Sequence, residues 1–226
     1  MITVKKDQTK LIPVLLSSPR KRGSRKRSFA SQNQLGTGFP IESGMTDTRV
    51  LDVTLAGENA SVQIVGLVLG KGNEEKSLDA NIIHAAPNTR SDVRVKGVLR
   101  GRSKFDFRGN VRIEKGAKGS NAYLRSDVLL FDDAKMGDDT PALEILEPDV
   151  KAGHAATIGK VDENMVFYLM SRGLTRKQSE DMIVDGFIEP MRQVILGTPL
   201  SGGLQNLPRV ILDKLASLSL RRSGSE

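Results

Sequence analysis

The chain has 226 residues, with 34 Lys and Arg against 27 Asp and Glu, and it contains neither Cys nor Trp. This length suffices for one well-buried core, whereas the sequence has no run of about 18 apolar residues that could cross a bilayer as a helix. The lack of Cys excludes disulfides, thiolate nucleophiles and cysteine-ligated metal or iron–sulfur sites. We therefore expect a cytoplasmic protein without a membrane partner.

The first segment, residues 1–48, is predicted to be a basic and poorly patterned N-terminal arm. Residues 1–49 hold ten Lys and Arg against three acids, which accounts for the whole net charge of +7. Basic triplets at residues 20–22 and 25–27 could bind phosphates, but no aromatic residue is interleaved for base stacking. The pattern favours a solvated tail over a nucleic-acid site. A short strand at residues 14–16 would alternatively let the arm add an edge strand to the next segment.

The second segment, residues 49–158, alternates apolar and polar residues in short runs, as in residues 50–55, 61–65 and 92–96. Alternation of this kind predicts strands with one buried face, and turn-forming residues separate the runs. A sandwich, a barrel and a solenoid all fit strands at this spacing, and we find no strict repeat of fixed length. Small residues at or near strand ends favour a β-helix slightly: Gly66, Gly97, Gly101 and Gly109.

The third segment, residues 159–226, changes to a helical period and is predicted to form a helical C-terminal domain. Its elements follow from capping and breaking residues. They are a helix over residues 162–172 with Gly173 as its C-cap, a helix opened by a Thr175–Gln178 capping box and directed toward Phe187, a break or new first turn at Pro190, and a final helix over residues 207–220.

The two histidines are the residues whose chemistry is most open. We interpret His84 as a structural residue at a strand end, hydrogen-bonded to the following turn. His154 lies among small residues that leave an imidazole reachable, so it is a candidate proton carrier or metal ligand, with a structural role equally open. A hydrolytic β-helix would instead need paired acids on stacked strands, for which the candidates are Asp106, Glu114, Glu144 and Asp149.

Three separated segments resemble the SufB/SufD family of iron–sulfur cluster assembly scaffold proteins, most closely SufD. They are HAAPNTRSDVRVKGVLRGRSKFDFRG (residues 84–109), PALEILEPDVKAGHAATIGKVDENMVFYLMSRGL (residues 141–174) and DMIVDGF (residues 181–187). The resemblance covers residues from about 50 to 190. It implies a mainly β fold, with a right-handed parallel β-helix core followed by a small α-helical C-terminal domain.

The same resemblance implies a scaffold subunit without catalysis of its own. Such a chain would bind a SufB-like partner through its β-helix and the Suf ABC-type ATPase through its C-terminal helices. The family's interface histidine matches His154, which would act as an iron ligand or proton carrier there. The chain alone would hold no cofactor stably, although iron or a cluster could reside transiently at the interface. ATPase contacts are expected at Phe167, Tyr168, Arg172 and Phe187, with packing against the β-helix as the alternative for each.

Two departures from the family pattern bear on this interpretation. Ala152 stands where the family frequently has a cysteine, and Ala155 stands where SufB has a glutamate, so both favour a SufD-like chain. The family's N-terminal portion is not matched by residues 1–48, which indicates a truncated or divergent paralogue that could also homodimerise. A carbohydrate- or surface-binding β-helix, and nucleic-acid binding through residues 20–27, remain as alternatives; two Tyr and no Trp argue against sugar stacking.

Overall fold

A computed structural model of the chain describes residues 1–17 and 46–197. Ten strands precede two helices within these ranges. The strands are β1 (Ile2–Val4), β2 (Thr9–Ser17), β3 (Thr46–Leu55), β4 (Ser61–Gly70), β5 (Glu75–His84), β6 (Arg90–Leu99), β7 (Lys104–Ile113), β8 (Asn121–Leu130), β9 (Lys135–Ile145) and β10 (Lys151–Lys160), and the helices are α1 (Glu163–Ser171) and α2 (Arg176–Gly197).

The strands form two five-stranded sheets, in which all pairings are parallel. Sheet A has the order β1-β3-β5-β7-β9, and sheet B has the order β10-β8-β6-β4-β2. Successive strands alternate between the sheets, so each odd and even pair makes one coil that stacks on the previous coil. This is a parallel β-helix of about four turns followed by two helices, and the predicted fold class is confirmed.

Equivalent residues of successive coils lie 29 to 31 positions apart, so the coils have no repeat of strictly fixed length, as the sequence indicated. Asn81 donates to Asp52 and Arg108 to Asp79, each across 29 positions, whereas the bonded pair Thr89 and Ser120 lies 31 positions apart. The period therefore changes within the β-helix. The same corner of successive coils also places Asn59, Asn88 and Gly119 in the left-handed region, with φ of 58°, 56° and 71°. Asn and Gly tolerate this conformation better than other residues.

The core lies between the two sheets and is filled by every second side chain. Phe105 and Phe107 are neighbours on the inward face of β7, with ring centroids 6.3 Å apart. Glycines face large neighbours in the adjacent coil: a Cβ on Gly97 would lie 3.2 Å from both methyl groups of Val128. This small-to-large complementarity fills the interior at close-packed density.

Helix α2 packs on the outer face of sheet B and joins it in a second apolar cluster. Lys96 Nζ donates to the carbonyl oxygen of Phe187 at 2.7 Å, and Arg100 Nη1 donates to Glu180 Oε2 at 2.5 Å. The two cations thus tether the helix to β6 and its following turn. The cluster consists of Val65, Leu67, Val98, Phe131, Val184, Ile188 and Met191, with partly buried neighbours around it.

Predicted helix boundaries are confirmed where a capping residue marks them. Asp162 accepts from the backbone N–H of Asn164 at 2.9 Å at the start of α1, and Gly173 has φ of 94° after its end. The Thr175–Gln178 capping box is formed in both directions, at 2.8 and 3.3 Å. The break predicted at Pro190 is wrong, because α2 continues through it. Ile188 and Met191 anchor the helix on both sides of that proline.

Residues 2–17 belong to the β-helix, which corrects their assignment to a poorly patterned arm and confirms the alternative of an added edge strand at residues 14–16. β1 pairs with β3 and β2 with β4, so this segment forms the outermost strand of each sheet. Ile12, Val14 and Leu16 alternate into the core. The basic triplets and the final predicted helix over residues 207–220 lie outside the described residues. No helix within the described ranges is long and apolar enough to cross a membrane.

Candidate partner-binding end of the solenoid

The last coil ends the β-helix with an open core. We call β9 and β10 together the open end; within residues 1–17 and 46–197 no strand pairs with the outer edge of either. Leu124 and Val128 on β8 are buried, whereas their register partners on β10, His154 and Ile158, are exposed. The inward direction of β10 therefore points into solvent.

His154 lies near the middle of β10, at an inward-facing position. Its register partner Leu124 continues to Val93 and Ile64 in the preceding coils, so an imidazole ends a column of aliphatic residues. Ala152 and Ala156 flank it at the neighbouring inward positions and leave it accessible. No group of three or more potential metal-ligating side chains exists among the described residues. An ion held at His154 would therefore need ligands beyond those that the described residues bring together.

A carboxylate also faces inward at this end. Asp139 on β9 is the register partner of the fully buried Phe107, and the Ser126 hydroxyl lies 3.1 Å and 3.0 Å from its two oxygens. Burial raises the pKa of Asp139, and the neighbouring Asp138 adds to this effect while Ser126 opposes it. Sequence reasoning missed this residue, because a run of aspartates next to glycine is typical of a solvated turn.

A β-bulge places Asp139 inward. The register shifts between Phe105 and Phe107, and the backbone N–H of Asp138 donates to Asp106 Oδ1 at 2.7 Å. A Cβ at Gly137 would displace the Asp106 carboxylate and the end of the Lys104 side chain. Bulges of this type re-aim the side chains that follow them.

The acids considered for hydrolysis are engaged in other interactions. Asp106 holds the bulge, while Glu114 and Glu144 both pair with Arg112, at 2.9 and 3.6 Å. The fourth candidate, Asp149, lies 3.5 Å from Lys118. Arg112 thus holds Glu114 and Glu144 in one ion-pair network, and each of the four candidate acids is engaged by another group.

Helix α1 exposes most of its apolar side chains. Val166 is buried, whereas Phe167 is 73% exposed and Tyr168 is 55% exposed. Arg172 Nη2 donates to the Tyr168 hydroxyl at 3.1 Å, and its guanidinium lies 5.2 Å from the ring centroid. Met165 and Met170 are also exposed on α1. The four predicted contact residues do not form one surface, since Phe187 packs in the second cluster under Lys96.

His84 is fully buried on β5 and has the structural role that we expected. Its Nδ1 lies 2.8 Å from Thr89 Oγ1, in the following turn, and its Nε2 lies 2.8 Å from Ser91 Oγ. Burial lowers the pKa of His84 to about 4. The imidazole is therefore neutral at physiological pH and bridges two hydroxyl groups inside the core.

The family model described as SUF system FeS cluster assembly, SufBD core domain, matches residues 37–187. The chain belongs to the SufBD family. The match includes the open end, α1 and most of the described β-helix, and it confirms the family resemblance drawn from residues 84–109, 141–174 and 181–187. It ends close to Phe187, within α2.

Curated relatives agree with this assignment. An iron–sulfur cluster assembly SufBD family protein of Mycobacterium tuberculosis is 40% identical over 139 residues, which are 62% of this chain and 16% of the relative. Bacillus subtilis SufD is 35% identical over 149 residues, 66% of this chain and 33% of SufD. Bacillus subtilis SufB is 35% identical over 136 residues, 60% of this chain and 29% of SufB. The chain thus spans a third or less of each relative's length.

Proposed function

We propose that this chain is a SufD-like, non-enzymatic scaffold subunit for iron–sulfur cluster assembly. It docks a SufB-like partner on the open end and the Suf ABC-type ATPase on its C-terminal helices. The observation that carries the proposal is the open end itself, a ten-residue edge strand with exposed inward-facing side chains. The family membership supplies the context in which such an end would be used.

Docking at the open end would remove two unfavourable features of the described residues: the unpaired outer backbone groups of β10 and the exposed apolar side chains. β10 presents a row of backbone groups with which no described strand pairs on the outer side, and such a row is a template for pairing with another chain. Ile145 and Ile158 are 45% and 49% exposed although they continue the buried positions of Ile113 and Val128. A second β-helix stacked on this end would bury them and extend both sheets.

His154 is the residue that would meet the cargo of the assembly reaction. Iron or a nascent cluster is handled here as a substrate at the interface between two chains, and the chain alone holds no cofactor stably. Imidazole is a competent ligand for iron, and the partner would complete the coordination. Ala152 and Ala155 offer neither thiolate nor carboxylate, so His154 would act as one donated ligand or proton carrier.

Helix α1, with its exposed apolar side chains, is the proposed ATPase-docking element. Exposed Phe167, Tyr168 and Met165 lie on one short helix, and the Tyr168–Arg172 contact orients the aromatic ring. Aromatic and Met side chains with an Arg are enriched at protein interfaces. Phe187 is withdrawn from this surface by its packing, so the contacts rest on Phe167, Tyr168 and Arg172.

Co-purification tests both interfaces separately. We expect the full chain to co-elute with SufB and with the Suf ATPase from the same genome. Phe167→Glu should abolish ATPase binding alone, and Ile158→Glu should abolish SufB binding alone. Val50→Glu is the matched control, because Val50 is 57% exposed on the outer face of sheet A, away from both surfaces. Absence of association with either protein would overturn the proposal.

A further inference from the structure

Inward-facing positions of the β-helix stack into columns, with one residue from each coil, and one apolar column ends in a carboxylate. Leu78 on β5 is in register with Phe107 on β7, which is in register with Asp139 on β9. Leu78 and Phe107 are both fully buried. The column therefore changes from aliphatic and aromatic to anionic at the strand where the β-helix ends.

The facing column changes in the same place. Val95 on β6 is in register with Ser126 on β8, and Ser126 is in register with Ala156 on β10. Ser126 is 1% exposed and its hydroxyl approaches both oxygens of Asp139. One hydroxyl proton satisfies one acceptor position, whereas a carboxylate offers about four. Among the described residues Ser126 is the one hydrogen-bond donor to Asp139, so acceptor capacity remains for water at the open end.

Docking would remove that water. Burying a carboxylate without a hydrogen-bond donor costs far more free energy than leaving it hydrated. A partner that covers Asp139 without offering it a donor would therefore bind weakly. A second copy of this chain would bring a second Asp139 into the same self-complementary interface, and like charges are unfavourable there. A homodimer would thus bring two negative charges into the interface, whereas a partner with a cationic surface would neutralise the charge of Asp139.

We infer that Asp139 selects a non-identical partner, one that presents a Lys or Arg side chain to this carboxylate when it docks on the open end. The inference rests on the proposed function, since it assumes that the partner docks at β9 and β10. The bulge at Gly137 keeps Asp139 inward while Asp138 points outward to Arg108, 3.1 Å away. The two adjacent carboxylates thus provide a test residue and its control.

The test compares Asp139→Asn with Asp138→Asn in the full chain, using SufB from the same genome as the probe. Asparagine keeps the shape of aspartate and its acceptor oxygen but removes the charge. Calorimetry should show at least about a tenfold weaker affinity for SufB with Asp139→Asn, and a change within about twofold with Asp138→Asn. Thermal melting of both variants checks that the fold is retained.

Homodimerisation should respond to Asp139→Asn in the opposite direction to SufB binding. Sedimentation of the chain alone should show stronger homodimerisation for Asp139→Asn than for the unaltered chain, because the like charges are gone. Unchanged affinity for SufB with Asp139→Asn, or an equal loss with Asp138→Asn, would overturn the inference and leave the proposed function standing. Failure of the unaltered chain to bind SufB would overturn both.

Discussion

The environments of the two histidines show how the middle of the β-helix differs from its open end. Both occupy inward-facing positions, His84 on β5 and His154 on β10. In the middle, both nitrogens of the imidazole bond hydroxyl groups and the side chain has no exposed surface. At the open end, the imidazole is exposed above a column of aliphatic residues. The same residue type therefore stabilises the fold where another coil covers it, and is available for chemistry where no coil of the described residues does.

The largest expected effect of this difference is on stability. His84→Ala would leave a cavity and would strip both Thr89 and Ser91 of a hydrogen-bond partner. We expect a loss of about 3 to 5 kcal/mol in the free energy of unfolding. Urea denaturation measures it, with His154→Ala as the control. A loss below about 1 kcal/mol would contradict the structural role of His84.

The pH dependence of stability should follow the same residue. The pKa of His84 is lowered by burial to about 4, from 6.5 for an exposed histidine, so the unfolded chain takes up this proton first. The contribution is fully present above pH 6.5 and is lost as the pH falls toward 4, by up to about 3 kcal/mol. The difference between the unaltered chain and His84→Gln isolates it, and parallel curves would refute it.

Two glycines, one in the core and one on β10, extend this comparison with a smaller expected effect on stability. A Cβ on Gly109 would overlap Leu124 in the core, whereas a Cβ on Gly159 in β10 would meet nothing within 4 Å. Gly109→Ala should therefore cost about 1 to 3 kcal/mol through overpacking. Gly159→Ala should be neutral or slightly stabilising. Equal melting temperatures of the two variants would show that the middle coils are packed less closely than described.

The smallest effect on stability, and the largest on function, is expected for His154→Ala. Because the side chain is exposed, the free energy of unfolding should change by less than about 0.5 kcal/mol. The yield of iron–sulfur cluster in a reconstituted assembly with SufB and the ATPase should nevertheless fall. Binding to SufB, measured in parallel, should persist. An unchanged cluster yield would return His154 to a purely structural role.

Much of the fold follows from local patterns in the sequence. Alternation predicts the strands from Arg49 onward, and capping residues predict both ends of α1 and the start of α2. The first coil was predicted only as an alternative, an edge strand at residues 14–16, because residues 18–45 separate β2 from β3 and its alternation stands apart from the rest. The break predicted at Pro190 was wrong for a different reason. The tertiary packing of Ile188 and Met191 outweighs the local preference for a break.

The candidate site was predictable only in part. His154 could be singled out from its small neighbours and from the family resemblance. Asp139 could not, because its inward orientation depends on a one-residue bulge, and a shift of one residue moves every later side chain of β9 to the other face. No repeat of strictly fixed length could be found in the sequence, because its length changes from 29 to 31 residues between coils.

Amide hydrogen exchange on the full chain, with and without SufB, tests most directly that the open end is the docking surface. The account predicts that SufB slows exchange in β9 and β10, where backbone groups gain a neighbouring strand, while exchange in β5 and β6 stays unchanged. A complex that forms without added protection of β9 and β10 would contradict it.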